Sequence, residues 1–248
     1  MKKTTPCAKA PFLTTLLMAV ALFLSSPAFA QLSEDQGMDM DFLSAPENQS
    51  GDKPKATKSM YVAMLWQKLL GGSPDFIGWV QNSPDYAKAD AKTQMDMIKT
   101  RATEMDQTYS LLTPTEPVVA YFTTSMVYNR KKGGFTLRKW NNHTYFNYGY
   151  LGQRYALIPN GIDKFLFLKA PQTLVKPMLD GTDNGKKTTL EITLVPQKAD
   201  PDPLRIGKND YRLILADILK INMWSTDGKN ILWDSSIMAP DEILNLYQ

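Results

Sequence analysis

The chain has 248 residues and carries 28 lysines and arginines against 25 aspartates and glutamates, with one histidine and one cysteine. Three of the 28 basic residues lie within residues 1–30, which contain no acid, so residues 31–248 hold 25 basic and 25 acidic side chains. This balance gives no support to nucleic-acid binding or to a general attraction to anionic membranes. Because Cys7 is the only cysteine, the chain has no internal disulfide and no thiolate beyond residue 30.

The first 30 residues have the pattern of a secretory signal peptide. Three lysines precede an apolar stretch at residues 11–24, and Ala28-Phe29-Ala30 matches the site that a signal peptidase cleaves. The stretch is too short to cross a hydrocarbon core of about 30 Å as a helix, although an uncleaved anchor is the alternative. We predict cleavage after Ala30, export to the periplasm if the host has two membranes, and no transmembrane segment in the remaining chain.

The next part of the chain predicts a tether followed by helices. Residues 31–58 are polar and have no sustained apolar period, so we expect a disordered tether. Ser59 is placed to cap a well-buried helix that stops at Gly71-Gly72. Ser-Pro-Asp then occurs at residues 73–75 and again at 83–85, and each copy predicts a helix that begins with its proline.

The longest predicted helix runs from Pro84 to Leu112 and carries one narrow apolar stripe. The stripe repeats at spacings of three and four residues and consists of Ala91, Met95, Ile98, Ala102, Met105, Tyr109 and Leu112. We expect it to pack on the chain's own domain, and a coiled-coil seam between two copies is the alternative.

After Pro117 the apolar period changes from helical to alternating. Residues 118–128 place their even positions on one face, residues 129–134 form a polar turn, and extended structure resumes at 135–137. Residues 188–194 alternate cleanly, with even positions predicted to face the core.

The strongest predicted strand is residues 211–224. Its middle is apolar on both faces, which favours a central and bulged strand. Asp227-Gly228 then turns the chain, and Trp224 is predicted to pair with Trp233 across this hairpin. Helices at 59–112 and a sheet at 117–235 predict an α+β fold with an antiparallel, hairpin-linked sheet or a small sandwich, and we expect 59–248 to form a single domain.

The closing pattern of the chain resembles that of an uncharacterised family of exported bacterial proteins. The similarity lies in Leu190, in YRLILADILKI at 211–221 and in DGKNILW at 227–233, together with the export signal and the helical first half. It covers about the last two-thirds of residues 31–248. The resemblance implies export and this order of elements, and it supplies no active site to transfer.

Few residues carry recognisable chemistry. His143 is the only histidine, and with no G-x-S-x-G motif we expect it to be structural rather than catalytic. One histidine and no available cysteine argue against zinc, and no phosphate-binding loop occurs, so no metal or cofactor is predicted. Asp217 lies mid-strand among apolar residues; we expect a water-facing edge or bulge position, and a buried acid with a partner is the alternative.

The segment that is richest in candidate binding residues is 138–155, where aromatic side chains alternate with amides and arginines. The candidates for binding a ligand or partner are Trp140, Tyr145, Tyr148, Tyr150, Tyr155, Arg154 and Asn142. Such residues are frequent in protein interfaces and stack on sugars. The alternative is an ordinary strand whose aromatic row packs inward.

Together these features predict an exported, non-catalytic binding or envelope-assembly protein. Its partner would be an envelope protein or a glycan, bound through the segment 138–155, the sheet edges or the stripe. One alternative is a cell-envelope hydrolase that uses paired carboxylates. Another is a structural subunit of an envelope complex, with residues 31–58 as its docking tail.

Overall fold

A computed structural model of the protein describes residues 37–39, 43–44 and 58–238. This part of the chain is α+β, as the sequence predicts. The predicted signal peptide and most of the predicted tether lie outside the described residues. Within the described ranges, none of the helices is both long and apolar enough to span a membrane.

The first helix, α1, spans Lys58–Leu69 and ends where the sequence predicts, but Ser59 lies inside it, so the prediction that Ser59 caps this helix is wrong. Gly71 adopts a φ of +68°, and the amide of Gly72 donates to the carbonyl of Gln67 at 2.9 Å. The amide of Gly71 donates to the carbonyl of Lys68 at 3.1 Å, which completes a Schellman motif. Residues 62–66 are all buried, so α1 lies within the core.

The second helix, α2, spans Phe76–Gln81 and begins later than predicted. Its cap is Asp75, whose carboxylate accepts a hydrogen bond from the amide of Gly78 at 2.9 Å. The prediction that Ser73 caps this helix is therefore wrong. An aspartate at the cap satisfies one of the unpaired amides of the first turn as well as a serine does.

The predicted helix Pro84–Leu112 is two helices, α3 at Pro84–Lys88 and α4 at Ala91–Leu111. The predicted cap Ser83 does begin α3. The chain then becomes extended at Ala89 and Asp90, because the Asp90 carboxylate accepts from the amide of Thr93 at 2.8 Å and starts a new helix. The apolar stripe begins at Ala91, in agreement with this break.

The apolar stripe of α4 packs on the chain's own residues mainly near its C-terminal end. Tyr109 and Leu112 are buried, and Ala102 and Met105 are partly buried against the core. Met95 is 73% exposed. The helix therefore leaves the core as it runs back toward its N-terminus.

In the part of the chain that the structure describes, twelve strands share two sheets, and a fifth helix, α5, spans Gln172–Gly181. In chain order the strands are β1 Gly37–Asp39, β2 Leu43–Ser44, β3 Val118–Thr124, β4 Met126–Asn129, β5 Gly134–Leu137, β6 Tyr145–Tyr150, β7 Gln153–Asn160, β8 Phe167–Lys169, β9 Thr188–Ala199, β10 Leu204–Ile206, β11 Asn209–Trp224 and β12 Ile231–Asp234. The main sheet has the order β1-β6-β7-β11-β9-β3-β2, and β10 and β12 pair with β11. The small sheet has the order β4-β5-β8.

The main sheet is mixed, so the prediction of a purely antiparallel sheet is wrong. Strands β7 and β11 run parallel, with Arg154 opposite Tyr211 and Asn160 opposite Asp217. The chain between these strands contains α5 and three further strands, β8, β9 and β10, which gives it the long connection that a parallel pair requires. Strand β1 also runs parallel to β6.

The main sheet curls because one short segment pairs with both of its edges. Strand β1 pairs with β6, and β2 pairs with β3 at the opposite edge. Asp39 and Leu43 are four residues apart and therefore at most about 15 Å from one another. Two parts of the predicted tether thus belong to the sheet.

The concave face of the sheet meets α1 and forms the main core. Leu190, Ile192 and Leu194 of β9 are fully buried there, as the even positions were predicted to be. Strand β11 is central and changes register near Ala216 and near Ile218, which confirms the predicted bulged strand. The first shift leaves Gln197 of β9 unpaired, and the second leaves Leu219 of β11 unpaired. The extra residue in β11 exchanges which of its side chains face the core.

The predicted pairing of Trp224 with Trp233 is wrong. Met223 lies opposite Trp233 and Trp224 lies opposite Ile231, because the register shifts between Met223 and Trp224. Trp233 is buried, and its indole N–H donates to the carbonyl of Lys169 at 2.8 Å. This bond ties β12 to the end of the small sheet.

Candidate partner-binding surface

Four of the five aromatic residues that the sequence proposes for binding are buried. Trp140, Tyr145, Tyr148 and Tyr155 are each at most 5% exposed. The Trp140 ring stacks on Phe122 with centroids 5.8 Å apart, and its indole N–H donates to a backbone carbonyl at 3.1 Å. These rings are packed within the protein rather than presented to solvent.

Several of the same aromatic rings join the sheet to the helices. Tyr155 meets Trp66 of α1 edge to face at 6.3 Å, and half-buried Tyr150 meets Trp79 of α2 at 5.0 Å. Tyr148 lies opposite Tyr155 in the same core. An inward aromatic row of this kind is usual in a strand that packs on a helix.

The remaining candidates lie elsewhere. Tyr145 packs edge to face against Tyr211 at 5.8 Å, outside the main core cluster. Arg154 is exposed and donates to the hydroxyl of Tyr211 at 3.4 Å, and Asn142 is exposed in the turn before β6. The seven candidates therefore do not share one exposed surface.

His143 and Asp217 have local polar contacts. The backbone amide of His143 donates to the side-chain oxygen of Asn141 at 2.8 Å. Asp217 is half-buried beside a bulge and accepts a hydrogen bond from the Asn160 side chain at 2.8 Å. Across the described ranges, no group of three or more histidine, cysteine or acidic side chains is placed to hold a metal ion.

Three aspartates have lowered pKa values, and each belongs to a turn or a helix cap. The amide of Thr93 lowers the pKa of Asp90, and the hydroxyl of Ser225 lowers that of Asp227. The hydroxyl of Ser236 lowers the pKa of Asp234. Hydrogen bonds favour the carboxylate in each case, as expected for structural acids at exposed turns.

A polar row crosses the convex face of the main sheet and was not found from the sequence. Glu191 accepts hydrogen bonds from the Tyr121 hydroxyl at 3.1 Å and from the Asn222 amide at 2.7 Å. The Asn222 side-chain oxygen and the Trp224 indole N–H are buried with no hydrogen-bond partner. The outward position of Glu191 was predictable from alternation, but its neighbours depend on a register that alternation does not give.

The small sheet has one face in the core and one face open to solvent. Its inner side chains are buried and comprise Met126, Phe135, Leu137 and Leu168. On the other face, Val127, Thr136 and Phe167 lie side by side across the three strands. We call these three residues the hairpin face. Val127 is 55% exposed, Thr136 is exposed and Phe167 is half-buried.

A glycine shapes the hairpin face. A Cβ atom on Gly134 would lie 2.7 Å from the Phe167 ring and 2.4 Å from the carbonyl oxygen of Leu168. The ring therefore covers the backbone of Gly134, and only a residue without a side chain allows this approach. The face is held by strand pairing rather than by a mobile loop.

Fold and surface together define an α+β protein with a curled mixed sheet and an open three-stranded face. Comparison with known proteins finds no match to a family model, to a curated protein or to a solved structure. The resemblance to an exported bacterial family accordingly stays a prediction.

Proposed function

We propose that the protein is an exported, non-catalytic binding or assembly protein of the cell envelope, and that its partner docks on the hairpin face. The observation that supports this is the exposure of an apolar row on a sheet whose reverse side is core. Val127 is among the most exposed large apolar side chains of the described residues. Removal of apolar surface from water is the main favourable contribution to most protein association.

The hairpin face also meets the requirement that a docking surface loses little freedom on binding. Val127 and Thr136 lie on paired strands, and Phe167 is held over Gly134. Side chains that are already ordered do not lose rotamer entropy in the complex.

Site-specific photo-crosslinking of the full chain in its host cells tests this proposal. A photoreactive amino acid at Val127 should give one discrete crosslinked product, whereas the same group at exposed Gln107 of α4 should not. The nearby substitution Thr136→Glu should abolish the product, since it places a charge inside the proposed contact. The proposal fails if positions 127 and 107 give the same products, or if position 127 gives no product with any protein, lipid or glycan of the envelope.

A further inference from the structure

Cations surround the hairpin face. Arg130, Lys131 and Lys132 form the exposed turn between β4 and β5, and Arg138 and Lys139 are exposed directly after β5. Residues 125–139 contain no acid. Among the described residues, no carboxylate forms an ion pair with any of these five cations.

One of these cations reaches the apolar row directly. The ammonium group of Lys132 lies 6.0 Å from the centroid of the Phe167 ring. Its position over an aromatic face places a positive charge at the rim of the apolar contact. At the other end of β5, Arg138 is the first residue after the strand and is exposed.

We propose that the hairpin face docks on the headgroups of an anionic lipid membrane. This inference rests on the proposed function, because it assigns a partner to the same face. The apolar row can enter the boundary between headgroups and acyl chains while the surrounding cations bind lipid phosphates. Each such cation strengthens binding about fivefold.

The charge of the whole chain conceals this surface. Residues 31–248 have equal numbers of basic and acidic side chains, so no overall field attracts the protein to an anionic membrane. Exposed charges more than about 10 Å apart are largely screened at moderate salt. The five cations at the two ends of β5, with no acid among residues 125–139, therefore favour this interaction locally.

A fluorescent probe on the hairpin face tests the inference in the full chain. Cys7→Ser removes the only cysteine, so Thr136→Cys provides a unique site for a bimane label, and Gln107→Cys provides the control site. The labelled chains are mixed with vesicles of phosphatidylcholine, with or without phosphatidylglycerol, that contain a lipid with a nitroxide quencher on its headgroup. Every variant keeps the apolar residues 11–24 and the lysines before them, which can bind vesicles by themselves. Quenching of the label at position 136 therefore tests the hairpin face, whereas total vesicle binding does not.

We expect quenching at position 136 on vesicles that contain phosphatidylglycerol, with little quenching on phosphatidylcholine alone and little at position 107. The double reversal Arg130→Glu/Lys131→Glu should weaken the apparent affinity for the vesicles, read from quenching at position 136, by at least about 25-fold. Lys92→Glu/Lys99→Glu on exposed positions of α4 makes the same change in net charge and should have little effect. Circular dichroism verifies that each variant is folded.

The inference is overturned if position 136 is not quenched, if both vesicle types quench it equally, or if both reversals weaken quenching equally. If position 136 is not quenched but Val127 gives a protein crosslink, the proposed function is retained and the partner of the hairpin face is an acidic protein. Loss of both signals would remove the proposed function as well.

Discussion

Tyr148 and Tyr109 are buried tyrosines whose hydroxyl groups meet different surroundings. The Tyr109 hydroxyl donates to the carbonyl of Gly72 at 2.5 Å. The Tyr148 hydroxyl is buried without a partner, and burial raises the pKa of this group above its ordinary value. A buried polar group that lacks a hydrogen bond costs about 1–3 kcal/mol, so Tyr148 is a site of unfavourable energy.

We therefore predict that removing the hydroxyl group of Tyr148 and removing that of Tyr109 change the free energy of unfolding in opposite directions. Tyr148→Phe should raise the free energy of unfolding by about 1 kcal/mol, because it removes only an unpaired group. Tyr109→Phe should lower it by a similar amount, because the Gly72 carbonyl loses its donor. Urea unfolding measures both values. Destabilisation by Tyr148→Phe would show that this hydroxyl has a partner, such as an ordered water or a ligand.

At the scale of single residues, the sequence identified the aromatic side chains of this segment but did not predict whether they are exposed. The aromatic spacing at 145–155 is the same for a strand that binds a ligand and for one that packs inward. Trp66 and Trp79, which cover Tyr155 and Tyr150, come from helices far away in the chain. Which partner covers an aromatic ring depends on tertiary packing, and a one-dimensional pattern does not contain it.

The break between α3 and α4 depends on the cap Asp90. Its pKa is lowered from the ordinary value of 3.8, chiefly by the hydrogen bond from the Thr93 amide. A carboxyl whose pKa is lower in the folded state than in the unfolded state stabilises the folded protein at pH values above its unfolded-state pKa. This stabilisation is lost as the pH falls through the folded-state pKa. The ordered start of α4 should therefore weaken in acid.

We predict that Asp90→Ala lowers the thermal unfolding midpoint at neutral pH and that its difference from the unsubstituted protein shrinks below about pH 4. Asp90→Asn is the matched control, because it keeps the capping oxygen but does not titrate. Its midpoint should stay near that of the unsubstituted protein at neutral pH. An Asp90→Ala effect that stays constant down to pH 2 would contradict a role for the carboxylate charge.

Local signals predicted several individual elements correctly, but not α5, β8 or β10. The Gly71-Gly72 end of α1, the cap at Ser83 and the alternation of β9 all depend on neighbours in the chain. The break at Asp90 was missed because Ser83-Pro84-Asp85 already indicates a helix start, and the helix was extended from there into the stripe. The stripe itself begins only at Ala91, at the true start of α4.

The small sheet provides a prediction at the scale of elements, since its third strand depends on Gly134. Gly134→Ala would place Cβ against the Leu168 carbonyl and the Phe167 ring, and overpacking of this kind costs about 1–3 kcal/mol. Gly149 of β6 is the matched control, because its Cβ would meet nothing within 4 Å. Gly149→Ala should be neutral or stabilise by up to about 1 kcal/mol. Equal effects of the two variants in urea unfolding would contradict the close approach at Gly134.

The arrangement of the whole molecule was the least predictable level. Turn residues indicate hairpins, and so the sequence predicted antiparallel pairs. The parallel pair of β7 with β11 joins segments that are distant in the chain, and no turn specifies it. The pairing of residues 37–44 with both edges of the sheet is equally non-local, and the polar composition of that region concealed it.

This double pairing leads to a prediction about self-association. Strands β3 and β6 form the two edges of the five central strands, and β1 and β2 each cover part of one edge. An uncovered edge presents unpaired N–H and C=O groups that another chain can bind. Deletion of residues 37–44 should therefore make the protein associate as its concentration rises, as light scattering coupled to size-exclusion chromatography would show. Deletion of residues 240–247, which also removes eight positions, should leave the association state of the protein unchanged. If the 37–44 deletion keeps the original mass and unfolds at the original urea concentration, the two edges do not need this segment.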